Sequence, residues 1–198
     1  GAAVTAWGNH WWLSGGVFGQ QVDILQKEKN RGSDGYGFTG RVGLSPVDNN
    51  EWTVHLGGYA SYRTPDALGA EDRLVEFRTF PESRTDHRRF VRAEIPNVSH
   101  YATYGLEAAV RWNKLLAYGE YTFTNLSRYR LEDGQEIGLR NAEFNGWDAT
   151  ASYMILGKQR RYMPEDAEFA PVYQRRKGGC LEVSARASHV NLNDFHEI

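Results

Sequence analysis

Arginine and lysine residues concentrate in two polar segments, and such side chains in rows could bind anions. Arginine stays charged at physiological pH, and its planar fork of N–H donors fits phosphate oxygens. The first segment contains EDRLVEFRTFPESRTDHRRFVRAEIP, and the second reads GKQRRYMPEDAEFAPVYQRRKGG. With two strand arginines added, the candidate anion-binding and pore-lining residues are Arg73, Arg78, Arg84, Arg88, Arg89, Arg92, Arg111, Lys158, Arg160, Arg161, Arg175, Arg176, Lys177 and Arg186.

Two interpretations of these segments are open from composition alone. In a soluble protein, each is an ordinary solvated surface. In a pore, cations spread along the lumen attract anions and pass them on, because conduction needs binding that is favourable but shared over several sites. The first segment also has apolar residues that predict folding against a wall. They are Leu74, Phe77, Phe80, Phe90, Val91 and Ile95.

The remaining composition argues against several other function classes. The 198-residue chain has a net charge of −2, which gives no global field for nucleic acid. Its one cysteine, Cys180, allows no internal disulfide, and its six histidines show no metal-ligand spacing. Neither a phosphate-binding glycine loop nor a G-x-S-x-G motif is present. We therefore expect no enzyme activity, no metal and no cofactor.

The elements that must position the charges are predicted to be β-strands throughout. Apolar and polar residues alternate with period two, and no stretch of about 20 apolar residues could form a membrane-spanning helix. The predicted strands span residues 2–8, 11–22, 36–46, 52–63, 101–112, 115–125, 145–156 and 180–190. Several have 10–12 residues, which exceeds the usual five or six and matches the roughly 9–11 that a tilted strand needs to cross a bilayer.

Residues 104–124, YGLEAAVRWNKLLAYGEYTFT, show most clearly the two structures that the alternation allows, a soluble sandwich and a membrane barrel. Tyr104, Leu106, Val110 and Trp112 alternate with Glu107 and Arg111. In a soluble sandwich the apolar row faces the core, whereas in a barrel it faces lipid and the charges line a lumen. For Glu107, Glu120 and Glu182, pairing with arginines that merely holds the wall is the simpler interpretation.

Connector lengths favour the barrel. Short turns at NH, VDNNE and NK alternate with long connectors, which include residues 64–100 and about 126–144. This is the rhythm of an up-and-down transmembrane β-barrel with short turns at one end and large loops at the other. Residues 157–179 depart from it, because this long segment falls where a short turn is due.

Four stretches in order resemble the phosphate-selective outer-membrane porins of the O and P type. They are LSGGVFGQQV (13–22), FRTFPESR with RRFV (77–91), residues 104–124, and SYMILGKQRRYMPEDAEF leading to LEVSARASHVNLND (152–194). The resemblance implies an all-β, antiparallel barrel of 16 strands, of which this chain supplies about eight as an internal fragment, residues 1–198 forming one domain. It also implies a homotrimer in the outer membrane of a Gram-negative bacterium, in contact with its lipid. The implied activity is passive diffusion of small anions such as phosphate or polyphosphate, with no nucleic-acid partner.

The chain departs from the family pattern of alternating arginines before Pro-Glu. Arg78 and Arg84 fit this ladder, whereas Glu76 and Phe80 stand where arginine is expected. Two alternatives therefore stay open. One is a weakly selective general porin of the same fold, and the other is a soluble β-sandwich binding module.

Overall fold

The computed structural model describes residues 1–19, 35–65, 73, 75–79, 91–172 and 179–193. Eight strands form the main sheet: β1 (Ala2–Trp7), β2 (Trp11–Gly19), β3 (Tyr36–Asp48), β4 (Trp52–Arg63), β7 (Val98–Trp112), β8 (Leu115–Glu132), β9 (Gln135–Leu156) and β12 (Leu181–Asn191). Two small hairpins are inserted between them: β5 (Val75–Thr79) with β6 (Val91–Ile95), and β10 (Tyr162–Met163) with β11 (Glu168–Phe169).

The main sheet is an antiparallel meander in the order β1-β2-β3-β4-β7-β8-β9-β12. Every strand pairs with the preceding main-sheet strand of the chain, so the predicted all-β, up-and-down topology with about eight strands is confirmed. Within the described residues, the edge strands β1 and β12 do not pair with each other, so the barrel is not closed. None of the residues that the structure describes forms a helix long and apolar enough to cross a membrane.

The two faces of the sheet differ in the way that the alternation predicts. On β7, Leu106 is 70% exposed, whereas Arg111 on the opposite face is 3% exposed. We call the face of Leu106 the outer face and the face of Arg111 the inner face. The outer face carries exposed apolar side chains on every strand of the main sheet, including Leu13, Val42, Leu56, Tyr121, Tyr153 and Val183. A soluble sandwich would have buried this row in its core.

Aromatic residues border the apolar rows of the outer face at both ends. At the short-turn end Trp52 stacks on its register partner Trp112, with 5.9 Å between ring centroids. Tyr62 lies ten residues further along β4, or about 33 Å at ~3.3 Å per residue. At a strand tilt of about 40° this distance corresponds to ~25 Å of height, the thickness of the apolar band of outer-membrane barrels. The outer face therefore has the dimensions of a lipid-facing wall.

Strands β8 and β9 are much longer than predicted. The interpretation of residues 126–144 as a long loop is wrong, because both strands continue past residue 125 to a two-residue turn at Asp133 and Gly134. Both turn residues have positive φ, 51° and 77°, which the type I′ hairpin turn requires and which Asp-Gly adopts readily. The missed signal was this dipeptide between alternating residues.

The hairpin β5–β6 docks on the inner face near the long-loop end of the sheet. Val75 and Ile95 are buried against Val98, Leu126 and Phe144. Phe77 adds edge contacts to the rings of Phe144, at 5.5 Å, and Tyr101, at 5.9 Å. The predicted anchoring against a wall therefore holds for Phe77 and Ile95. Leu74, Phe80 and Phe90 lie outside the described residues, as does the side chain of Val91.

Candidate functional site

A second inserted segment, residues 157–172, crosses the inner face from the short-turn end. We call it the strap. It leaves β9 and reaches the β3–β4 turn, where Gln159 Nε2 donates to the Asn50 carbonyl at 2.8 Å. Further on, the indole N–H of Trp12 on β2 donates to the Glu165 carbonyl at 2.9 Å. In sheet order β8, β7, β4 and β3 lie between β9 and β2, so the strap passes over the inner surface of four strands.

Arg41 on β3 links the strap to the wall. Its Nε and Nη2 lie 2.9 and 2.8 Å from Glu107 Oε1 on β7. Its Nη1 and Nη2 also donate to the carbonyls of Asp166 and Ala167 in the strap, at 3.4 and 3.3 Å. The guanidinium carbon lies 5.1 Å from the centroid of the Trp12 ring, a cation–π distance. One side chain thus bonds a wall carboxylate and two strap carbonyls.

His55 and Tyr162 form a second link beside Arg41. The Tyr162 hydroxyl lies 2.7 Å from His55 Nδ1, and His55 Nε2 lies 3.2 Å from Glu107 Oε1. Because a carboxylate only accepts, Nε2 carries the hydrogen and the Nδ1 of a neutral ring accepts from the tyrosine. Burial is the main factor that raises the pKa of Tyr162 to about 12. The phenol is therefore protonated, and donates, at neutral pH.

Glycines on β4 and β7 make room for the large polar side chains of the inner face. Gly57 is the register partner of Glu107, and Gly105 is the partner of Tyr59. A methyl group at Gly57 would collide with the Glu107 carboxylate, and one at Gly105 would collide with the Tyr59 ring. Each large side chain lies across its glycine, which fixes its direction along the wall.

A further carboxylate, Glu120 on β8, is held by hydroxyl groups. The Tyr59 hydroxyl donates a short hydrogen bond to it, and the Thr122 hydroxyl donates to it at 3.0 Å. Glu120 is the register partner of Glu107 and also of Asp148. Three wall carboxylates therefore lie side by side on β7, β8 and β9 at one height.

The basic residues at the start of the strap were predicted as anion sites, and two of them are ion-paired. Arg160 binds Glu182 on β12 through two bonds, Nε to Oε1 at 3.0 Å and Nη2 to Oε2 at 2.7 Å. Arg161 is 76% exposed and lies 3.3 Å from Glu165. Lys158 is exposed. The structure therefore ties Arg160 of the strap to Glu182 on β12 and leaves Arg161 and Lys158 at the surface.

The predicted strand arginines have different surroundings. Arg111 is buried, and its Nη2 donates to the Asn49 carbonyl at 2.7 Å and to Thr53 Oγ1 at 2.6 Å, so it clamps the β3–β4 turn. Arg186 is half-exposed on the inner face, and its Nη2 lies 3.5 Å from Asp148.

The predicted arginines of the first segment lie near the long-loop end as far as they are described. Arg73 precedes β5, with its guanidinium 3.6 Å from Glu136 and 5.5 Å from the centre of the Tyr129 ring. Arg78 and Arg92 are register partners on β5 and β6, next to the partners Glu76 and Glu94. Predicted site residues that lie outside the described residues are Arg84, Arg88, Arg89, Arg175, Arg176 and Lys177.

Sequence reasoning missed the residues that join the strap to the wall. Arg41, His55 and Tyr162 were not singled out, and the hydrogen bonds that link them to Glu107 and to the strap span sequence separations of 52 to 126 residues. The only local signal was Arg41 itself, the one charge within the otherwise uncharged stretch 36–47.

Chemically, the described inner face is a set of salt bridges and hydroxyl contacts. It contains no group of three or more His, Cys, Asp or Glu side chains that could hold a metal ion, as far as the residues are described. Searching curated proteins gives no match to the chain. The sequence model of one protein family, described as phosphate-selective porin O and P, matches residues 1–197.

Proposed function

The chain belongs to the phosphate-selective porin O and P family, and from this membership we propose that it lines an outer-membrane channel for the passive diffusion of phosphate and related anions in a Gram-negative bacterium. A porin is a channel and not an enzyme. The observation that carries the proposal is the contrast between the faces of the sheet. Exposed apolar residues cover the outer face, whereas charged and hydroxyl side chains cover the inner face.

The wall salt bridges support a preference for anions. Glu107 is paired with Arg41, Glu182 with Arg160, and Asp148 with Arg186. Each pair cancels a negative charge that would otherwise repel anions near the lumen. Residues 73–92 carry six arginines and three carboxylates, so their cations then dominate the local potential, and the low-dielectric wall strengthens their field. We therefore assign the attraction of anions to Lys158 and the arginines of residues 78–92, since Arg73 and Arg161 are paired with Glu136 and Glu165.

We propose that residues 1–198 form one domain, the central part of a larger barrel. The open edges β1 and β12 support this, because unpaired strand edges do not persist in lipid. A barrel of 16 strands, assembled as a homotrimer, is the arrangement that the family implies. In this arrangement β5–β6 and the strap would both narrow the lumen, one from each end.

Chloride current through the full-length protein in planar bilayers tests the cargo. If phosphate binds in the lumen, adding phosphate should reduce the chloride current in a saturable manner, because a bound ion blocks the path of the next. Pyrophosphate should block at lower concentration if polyphosphate is preferred. A chloride current that neither anion changes would contradict selectivity for phosphate.

A second candidate function is a weakly selective porin of the same fold. The pairing of β5 with β6 supports this second candidate, because Glu76 lies directly opposite Glu94, beside the pair Arg78 and Arg92. Alternating acidic and basic pairs along one hairpin give little net attraction for anions. Under this hypothesis Glu76→Arg should raise the anion-to-cation permeability ratio, with Glu132→Arg on the distant β8–β9 tip as the control. An unchanged ratio would count against it.

A further inference from the structure

The strap is held to the inner face of the main sheet through a small set of contacts, and most of them lie around Arg41 of β3. Tyr162 and Ala167 are the buried residues of the strap, at 5% and 2% exposure. Ala167 lies over Gly43 of β3, where an added Cβ would be 3.0 Å from the Ala167 Cβ. Tyr162 also packs edge-on against Phe169, with 5.2 Å between ring centroids. The strap is thus a compact hairpin with a flat docking surface on β3 and β4.

Arg41 occupies the centre of this docking surface. Its guanidinium contacts Glu107, the Asp166 carbonyl, the Ala167 carbonyl and the ring of Trp12. Four different groups on both sides of the docking surface are therefore joined by one planar fork. A lysine could keep the charge, but a single ammonium cannot reproduce this geometry. These contacts fit a residue that positions the strap better than one that attracts anions.

We propose that Arg41 is a positioning residue that holds the strap against the inner wall, and that the strap in this position sets the open cross-section of the pore. The inference rests on the proposed channel function. Arg41 acts through the strap and not as an anion site, since its donors already bind Glu107 and the two carbonyls. His55 supports the same arrangement by joining Tyr162 to Glu107.

Single-channel recording of Arg41→Ala and Arg41→Lys tests this role in the full-length protein. Both variants should raise the conductance on the order of twofold and add slow current fluctuations, because a released strap opens the cross-section and moves within it. If Arg41 acted through its charge alone, Arg41→Lys would retain the wild-type conductance. That result would overturn the proposal.

Two further variants keep the test decisive if Arg41→Ala fails to fold. Gly43→Val retains Arg41 but crowds Ala167, so it should raise the conductance in the same way. A Gly43→Cys, Ala167→Cys pair, made with Cys180→Ser, starts from Cβ atoms 3.0 Å apart, so a shift of about 0.5–1 Å brings them to the ~3.8 Å typical of disulfides. Oxidation of this pair in the Arg41→Lys background should return the conductance to the wild-type value and remove the fluctuations.

The outcomes separate this inference from the function on which it rests. If the wild-type protein forms no channel, the proposed function fails. If it conducts, but Gly43→Val and Arg41→Lys both retain wild-type conductance, the channel assignment stands and the positioning role of Arg41 is wrong. Thr39→Ala serves as the control, because Thr39 is an exposed, uncharged residue of the inner face two positions from Arg41 on β3; it should leave the conductance unchanged.

Discussion

At the scale of single residues, the same side chain type serves different purposes along the inner face. Arg41 joins the strap to the wall, Arg111 clamps a turn, Arg160 pairs with a strand carboxylate, and Arg161 is largely exposed. Composition alone predicted an undivided set of cations. The division follows from burial and hydrogen-bond partners, which the sequence does not contain.

Arg111→Ala should lower the free energy of unfolding by about 3 kcal/mol, because it removes two charge-assisted hydrogen bonds, to the Asn49 carbonyl and to the buried Thr53 hydroxyl. Denaturant titration of the folded protein in lipid or detergent measures the change. Arg161→Ala is the matched control, and at 76% exposure it should change stability by less than about 0.5 kcal/mol. Equal effects of the two substitutions would contradict the assignment of Arg111 to the turn.

Tyr162 gives the docking of the strap a dependence on alkaline pH. Its pKa is raised from 10.0 to about 12 in the folded protein, so the stabilisation from the protonated phenol is complete below about pH 10 and is lost as the pH rises through about 12. The free energy of unfolding of the wild type should therefore fall over this interval more than that of Tyr162→Phe. If the free energies of unfolding of the two proteins fall in parallel with pH, Tyr162 does not contribute to the alkaline loss of stability.

At the scale of secondary-structure elements, period-two alternation predicted the strands of the main sheet closely, whereas the turn signal of Asp133-Gly134 was missed. Strand β4 coincides with the predicted 52–63, and β7 differs by three residues at one end. Residues 126–144 are predicted to be a long connector between the strands predicted at 115–125 and 145–156. The Asp133-Gly134 turn overrides that expectation and extends the hairpin. The pairing of the strap with β2–β4 depends on contacts between distant parts of the chain, so local patterns could not predict it.

Gly134→Val should fray the outer part of the β8–β9 hairpin. Gly134 has φ of 77°, and a β-branched residue in this conformation is strained by about 1–2 kcal/mol. Hydrogen exchange should become faster in residues 128–139 and stay slow in residues 115–124 and 145–154. Gly138→Ala is the control, because an added Cβ there meets nothing within 4 Å and its φ is not positive. Unchanged exchange in Gly134→Val would contradict the importance of this turn.

At the scale of the whole molecule, the assignment of the outer face to lipid has a direct consequence for charge substitutions. Leu106→Arg places a cation at the middle of the outer face and should destabilise the protein in bilayers by about 2–4 kcal/mol. Tyr118→Arg places the same residue on the inner face, where Tyr118 is 43% exposed, and should be tolerated. Unfolding titrations in lipid vesicles compare the two. A soluble sandwich with its core on this side would not need lipid to fold.

The central claim is that the inner face lines a pore that prefers anions. Reversal potentials of the full-length protein in a planar bilayer under a KCl gradient test it most directly. If cations of the inserted segments dominate the lumen, the reversal potential has the sign set by chloride, and the selectivity weakens at high salt as the charges are screened. A reversal potential with the sign set by potassium, or a protein that carries no current, would contradict the account.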